Sequence, residues 1–275
     1  MRNIQFIGDD FNDIYLEILE LALSADKDIT NRKGDSLLEL INPSFELTNP
    51  RKCFAICRSM SLPYLKGELD FYLSGSPYLS DIARHSKFWN KCSDDGETIN
   101  SNYGKLLLWD RNSYGHTQFE HALNMLLNNP ESKKAVAIIY REEHAHLSND
   151  NPCTMYLQFF IRNGKLDLFV KMRSSDIWFG LPYDVPFFVM IQFMMRAELA
   201  KRGKFYEIGS YNHNSGSLHL YHRNVEQGFN VLSEPGALND MLPEPGALSS
   251  DSENLFEEYI ESAITRWFNG HYSDR

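Results

Sequence analysis

A cysteine directly after a proline, Pro152-Cys153-Thr154, begins the stretch of this chain richest in reactive groups. Arg173-Ser174 and Asp176 follow, then Gly180, Tyr183 and Asp184, then His219 and Tyr221. Glu68, Trp89, the pair Lys133-Lys134 and Asp150 precede the cysteine. A thiolate attacks polarised carbon well, and only the deprotonated sulfur does so. A fixed cation lowers a nearby thiol pKa or grips a phosphate. Together these groups would converge on one small anionic substrate.

Each residue also has an ordinary reading. A lone cysteine is commonly a small buried hydrophobe, and Arg173 fits a surface salt bridge equally well. Asp184 precedes Val185-Pro186 and would cap a helix over 185–200. Asp176 and Asp150 suit turns, the latter within Ser148-Asn149-Asp150-Asn151. His219 and Tyr221 alternate on one strand face, where such pairs pack and hydrogen-bond. Lys133-Lys134 reads as a solvated pair. No single residue is specific, so the joint order carries the argument.

The elements that must hold these groups follow from periodicity. Residues 11–25 repeat at helical spacing. A strand over 37–45, interrupted at Pro43, is expected next. Ser61-Leu62-Pro63 starts a helix over 61–72 that holds Glu68 and Asp70. Residues 84–103 are polar and turn-rich, and a helix over 117–128 stops at Asn128-Asn129-Pro130. Three apolar runs, 135–140, 154–162 and 166–172, read as strands, with Asn163-Gly164 as a hairpin turn. Residues 185–200 are apolar nearly all round, and Gln192 and Arg196 mark a buried core helix rather than a membrane span. Short strands fit 205–210 and 216–221, and a last helix fits 251–268. Glu234–Leu238 and Glu244–Leu248 repeat the same five residues in a turn-rich loop or insertion over 233–250. Mixed strands and helices in this order predict an α+β sandwich over 1–275, as one domain.

The 275 residues are 43% hydrophobic, enough for a large core. The net charge of −10 disfavours a protein that grips long nucleic acid through phosphate contacts. A mononucleotide needs only a few converging cations. Four cysteines without zinc-type spacing are neither a disulfide scaffold nor a metal cluster. Met1 to Asp10 shows no charged-then-apolar leader and no long apolar run follows, so a soluble cytoplasmic protein is expected, with no membrane partner.

The joint order resembles the thymidylate synthase family over roughly 28–228, and within it the phage deoxycytidylate hydroxymethylases. The carrying segments are Gly67–Tyr72, Gly96–Gly104, Asn129–Lys134, Pro152–Thr154, Met172–Asp176, Phe179–Asp184 and Gly216–Tyr221. The resemblance implies a sandwich whose mixed sheet forms a homodimer interface, with active sites shared between subunits. It implies that Cys153 adds to C6 of a pyrimidine nucleoside monophosphate, while 5,10-methylenetetrahydrofolate gives the one-carbon unit. Arg32, Arg173 and Ser174 would hold the phosphate, as would Lys133 and Lys134, which stand where the family usually has two arginines. That replacement keeps charge but loses the bidentate fork. His219 and Tyr221 would bond the sugar hydroxyl. Trp89, Asp176, Gly180 and Tyr183 would line the folate site, and Glu68 would organise protons and water beside the base.

Position 184 bears on which base is bound. Asparagine there serves uracil, whereas a carboxylate accepts from the cytosine amino group and from N3–H once N3 is protonated. Asp184 therefore favours dCMP or CMP. Asp150 stands where the family usually has leucine over the reactive intermediate, and a polar group admits water more readily. Hydroxymethylation of cytidylate is thus expected. Methyl transfer to cytidylate, thymidylate synthesis and a non-catalytic nucleotide- or RNA-binding relative are the alternatives.

Overall fold

A computed structural model describes residues 4–25, 28–31, 34–145, 149–234 and 252–270. Arg32 and nearly all of the repeated five-residue motif lie outside the described residues.

The strands are β1 (Gln5–Gly8), β2 (Asp28–Thr30), β3 (Ser36–Ile41), β4 (Ser44–Leu47), β5 (Val136–Ile138), β6 (Thr154–Arg162), β7 (Lys165–Asp176) and β8 (Glu207–Tyr221). All eight form one mixed sheet in the order β1-β4-β8-β7-β6-β5, with β3 also on β8 and β2 on β3. The helices are α1 (Phe11–Leu23), α2 (Leu62–Ser74), α3 (Leu79–Ala83), α4 (Gln118–Asn128), α5 (Leu181–Lys201), α6 (Val225–Ser233), α7 (Ser252–Leu255) and α8 (Ser262–Phe268). This is the expected α+β architecture.

The β6–β7 hairpin turns at Asn163 (φ 50°) and Gly164 (φ 77°). Both left-handed conformations suit a tight turn matched to strand twist, the reason Asn-Gly marks it. Inward residues of this hairpin, among them Leu157, Phe159, Leu166, Leu168 and Val170, are buried. Their outward neighbours are not: Tyr156 is 37% exposed, Phe169 40% and Ile138 47%. One face is thus core, and the other is open and partly apolar.

Several boundaries move, each for a tertiary reason. The segments expected as separate strands at 205–210 and 216–221 are one 15-residue strand, β8. Its polar middle reads as loop locally, but it pairs with β7 on one edge and with β4 and β3 on the other. The run expected at 166–172 continues to Asp176 because β8 pairs with it that far. Helix α5 starts at Leu181, four residues before the expected 185. Asp184 therefore sits in its first turn and caps nothing; Gly180 holds the N-cap position. Pro182 fits that first turn, where N–H groups lack partners anyway. The closing helix contains a π-helical turn at Phe256–Glu261. Among the described residues, no helix is long and apolar enough to cross a membrane.

The core contains one group that acid should expose. His213 is 2% exposed, bonded to Tyr211 Oη at 2.8 Å and Ser215 Oγ at 3.2 Å, and stacked 5.0 Å from the Phe45 ring. Burial, with Lys171 adding to it, pushes its pKa down from 6.5 to about 3. The unfolded chain then binds the extra proton below pH 6.5, so the stability from neutral His213 is lost as pH falls through that window. Chemical unfolding of His213→Phe alongside the original protein cancels the shared carboxyl contributions. The original should lose about 1.4 kcal/mol per pH unit relative to the variant below 6.5; parallel curves would refute this.

Candidate active site

The sheet presents its chemistry where β6 begins and β7 ends. A cleft of about 750 Å³ opens there. Its walls include Glu68, Trp89, Asp150, Cys153, Arg173, Ser174, Asp176, Gly180, Tyr183 and Asp184, ten of the residues expected from sequence. They come from α2, the 3₁₀ turn at Lys87–Lys91, the approach to β6, the end of β7 and the start of α5. Cys153 and Asp184 thus line the same space.

Cys153 is half-buried and fixed mainly through backbone. Its N–H donates to Tyr103 Oη at 3.3 Å, and its carbonyl accepts from Arg173 N–H at 2.8 Å. The Arg173 side chain does more. Nε donates to the Pro152 carbonyl and Nη2 to the Asn151 carbonyl, both at 3.0 Å. One guanidinium therefore pins the loop before the cysteine to β7, and its remaining donors stay in the cleft wall. Burial raises the thiol pKa, while the Arg173 charge opposes that rise and the Asp184 charge adds to it. The sulfur rests as a thiol that the cation primes for ionisation.

Two carboxyls face this space in a poorly hydrated setting. Glu68 is 6% exposed, and Oε1 accepts from Tyr64 Oη at 2.8 Å and Tyr72 Oη at 3.4 Å. Burial raises its pKa to about 7, and the two hydroxyls hold the rise in check. A group half-ionised near neutral pH can both give and take a proton. Trp89 Nε1 donates to Tyr64 Oη at 3.0 Å, which orients the phenol beneath it. Asp184 is pushed well above its usual range by burial first, then by the charges of Glu68 and Asp176. Gly180 makes room for it: a Cβ there would lie 3.3 Å from Asp184 Oδ2 and 3.2 Å from the Asp176 carbonyl.

Asp176 fills the turn role its sequence suggested and lines the cleft as well. Its Oδ1 accepts from Trp178 N–H at 2.7 Å and Phe179 N–H at 3.2 Å, and it pairs in register with His219. His219 and Tyr221 share a face of β8 with ring centroids 5.1 Å apart, yet neither lines the cleft. Burial lowers the pKa of His219, against the charges of Asp176 and Glu39. Lys133 and Lys134 lie before β5, exposed and outside the cleft.

Sequence reasoning missed part of the lining: Arg58, Tyr64, Phe88, Trp178 and Phe179. Arg58 is 7% exposed, with its guanidinium carbon 5.0 Å from the Trp178 ring centre, 5.8 Å from Phe179 and 5.5 Å from Tyr183. Its Nε has no hydrogen-bond partner, an uncommon state for a buried donor. Phe88 stacks on Phe179 at 6.3 Å near the mouth. Tyr72 and Tyr103 lie within segments that carry the family resemblance, but their roles appear only in the fold, where Tyr64 and Tyr72 bond Glu68 and Tyr103 accepts from Cys153 N–H.

The sequence model of the family described as thymidylate synthase matches residues 13–241. The deoxycytidylate 5-hydroxymethyltransferase of Enterobacteria phage T4 is 30% identical over 213 residues, covering 74% of this chain and 84% of that protein. The deoxyuridylate hydroxymethyltransferase of Bacillus phage SP01 is 28% identical over 228 residues, covering 78% of this chain and 58% of that protein.

The Glu68 setting is measurable without any substrate. Carbon-13 NMR titration of glutamate carboxyls should show one group titrating near 7, absent from Glu68→Gln. Tyr72→Phe should move that group further up, since its hydroxyl stabilises the charged form. Titration of Glu68 near 4.5, the ordinary value, would contradict the burial argument.

Proposed function

Because the chain belongs to the thymidylate synthase family, we propose that it hydroxymethylates C5 of a cytidylate, dCMP or CMP. The coarser activity follows from the family: folate-dependent one-carbon transfer to C5 of a pyrimidine nucleotide, with methylenetetrahydrofolate as cosubstrate. The finer reading rests on one observation, an acidic Asp184 in the cleft that holds Cys153.

The cleft suits both molecules. Its volume lies in the ordinary range for ligand sites. Trp89, Trp178 and the Phe88–Phe179 stack offer flat apolar surface for a pterin. The unpartnered Nε of Arg58 suits an acidic tail. Arg173 and Ser174 meet the nucleotide phosphate in this reading, and Cys153 bonds to C6.

Attack at C6 pushes electrons toward N3. The N3 of cytosine is a base of roughly carboxylate strength, whereas O4 of uracil is far weaker. Burial raises the proton affinity of Asp184, so transfer of a proton between it and a cytosine N3 is close to balanced, as it is not for uracil. The carboxylate left behind pairs with N3–H and N4–H where charge develops. Glu68, poised near neutrality, moves protons beside the ring. The cosubstrate supplies a carbon at the formaldehyde level. C5 bonds to that carbon and loses its proton, and the bond from the carbon to the folate nitrogen breaks. An exocyclic methylene remains at C5 while Cys153 stays attached. Asp150 beside that carbon favours water over hydride as its final partner. The SP01 relative, named for deoxyuridylate, makes dUMP the second substrate to test.

The open sheet face supports a homodimer. Ile138, Tyr156 and Phe169 form an exposed apolar patch there, and a stable pair would bury it. Lys133 and Lys134, outside this subunit's cleft, would then serve the partner's phosphate. Sedimentation at the monomer mass would overturn the dimer.

The chemical test uses dCMP, CMP and dUMP with methylenetetrahydrofolate, read by mass spectrometry. The expected product is 5-hydroxymethylcytidylate without dihydrofolate. Tritium release from 5-labelled dCMP should vanish in Cys153→Ala. Asp184→Asn should lower kcat/KM for cytidylate by about 10²-fold or more; an unchanged rate would remove the base assignment.

A further inference from the structure

Beside the cleft lies a second pocket of about 430 Å³, lined by Pro77, Ile99 and Leu106 on its apolar side and by Asn100, Lys105 and Asp110 on its polar side. It opens to solvent at Asn100 and Glu143. The two spaces share Asp150 and Asn151 as a common wall. Asp150 is 3% exposed and lines both spaces. It accepts from the N–H of Asn100, which lines the second pocket, and at 3.4 Å from the N–H of Ser101, which lines the cleft. Asp94 holds the wall in place, accepting from Asn149 N–H at 2.7 Å and Asp150 N–H at 3.3 Å.

The second pocket carries charged groups on one side. Lys105 meets Asp110 at 2.6 Å, and Arg141 reaches Asp110 at 3.6 Å and Glu143 at 3.5 Å. Dry cavities are apolar, and a space lined by charged groups and larger than one water holds water. An apolar residue at 150 would seal this space from the cleft; a carboxylate offers water a hydrogen-bonded way through.

We propose that this pocket admits the water that completes the reaction, and that Asp150 passes it to the nucleotide adduct and takes its proton. This rests on the hydroxymethyl reading above. The water oxygen bonds to the exocyclic methylene carbon, and the methylene π pair moves into the ring toward N3. One water proton goes to the Asp150 carboxylate. The ring pair then re-forms C5=C6 as the bond from C6 to Cys153 Sγ breaks, and sulfur leaves as thiolate. No oxidant or reductant is consumed. Burial raises the pKa of Asp150, which strengthens it as a proton acceptor.

The test places water in competition with a soluble thiol. Asn100→Trp and the smaller Asn100→Phe add bulk at the solvent-facing rim of the second pocket while keeping the backbone N–H that Asp150 uses. Each is assayed with dCMP, methylenetetrahydrofolate and 2-mercaptoethanol, and mass spectrometry gives the ratio of hydroxymethyl to thioether product. Tritium release from C5 reports the earlier steps. Both variants should release tritium near the original rate while the ratio falls about five-fold or more. Asp150→Asn, which keeps the shape but loses the base, should lower the ratio too. An unchanged ratio in both Asn100 variants overturns the proposal, as does loss of tritium release in both, because the pocket would then serve an earlier step. A 5-methyl product with dihydrofolate from the original protein instead overturns the parent reading.

Discussion

The hold of Arg173 on the carbonyls of Asn151 and Pro152 links the reactive loop to the sheet, and the rest of the site is arranged around that link. A loop ahead of a strand is ordinarily the mobile part of a fold. Here its last three carbonyls, those of Asn151, Pro152 and Cys153, all accept from Arg173. The same side chain supplies the positive charge that offsets burial of the thiol. Position and reactivity of the sulfur therefore depend on one residue near the end of β7. That strand is in turn set by β8, which pairs with it as far as Asp176.

Around this anchor the cleft gathers acids that water would normally keep charged. Glu68, Asp150 and Asp184 are all raised by burial. Their proximity compounds the effect for Asp184, which feels Glu68 and Asp176. Such a cluster is a poor way to stabilise a fold, because each acid gives up hydration. It is a good way to keep protons available at neutral pH. The tyrosines bound to Glu68 set its affinity for a proton, and the ring of Trp89 fixes one of those tyrosines. Proton handling is thus built by aromatic residues that carry no charge of their own.

Much of the fold was legible because helices and strands write their periods locally. The hairpin at Asn163-Gly164, helix α4 and the buried helix α5 follow from residue spacing and turn chemistry. β8 did not. Asn212, Asn214, Ser215 and Gly216 favour turns by themselves, and only pairing on both edges makes them one strand. Asp184 shows the same limit in the opposite sense. Val185-Pro186 reads locally as a helix start, yet the helix begins at Leu181 and the carboxylate is left free to face the cleft.

The order of residues by itself determined the family and the identity of the reactive groups: Cys153, Arg173, Asp176 and Asp184 are recognisable by type and sequence distance. Tertiary structure decided their state. Whether Cys153 and Asp184 share a cavity, whether Glu68 titrates near 4.5 or near 7, and whether Arg58 is a surface cation or one enclosed by three rings all depend on distant segments. A side chain's identity is local, but its dielectric surroundings are made by whatever the fold packs against it. No window of sequence contains that information.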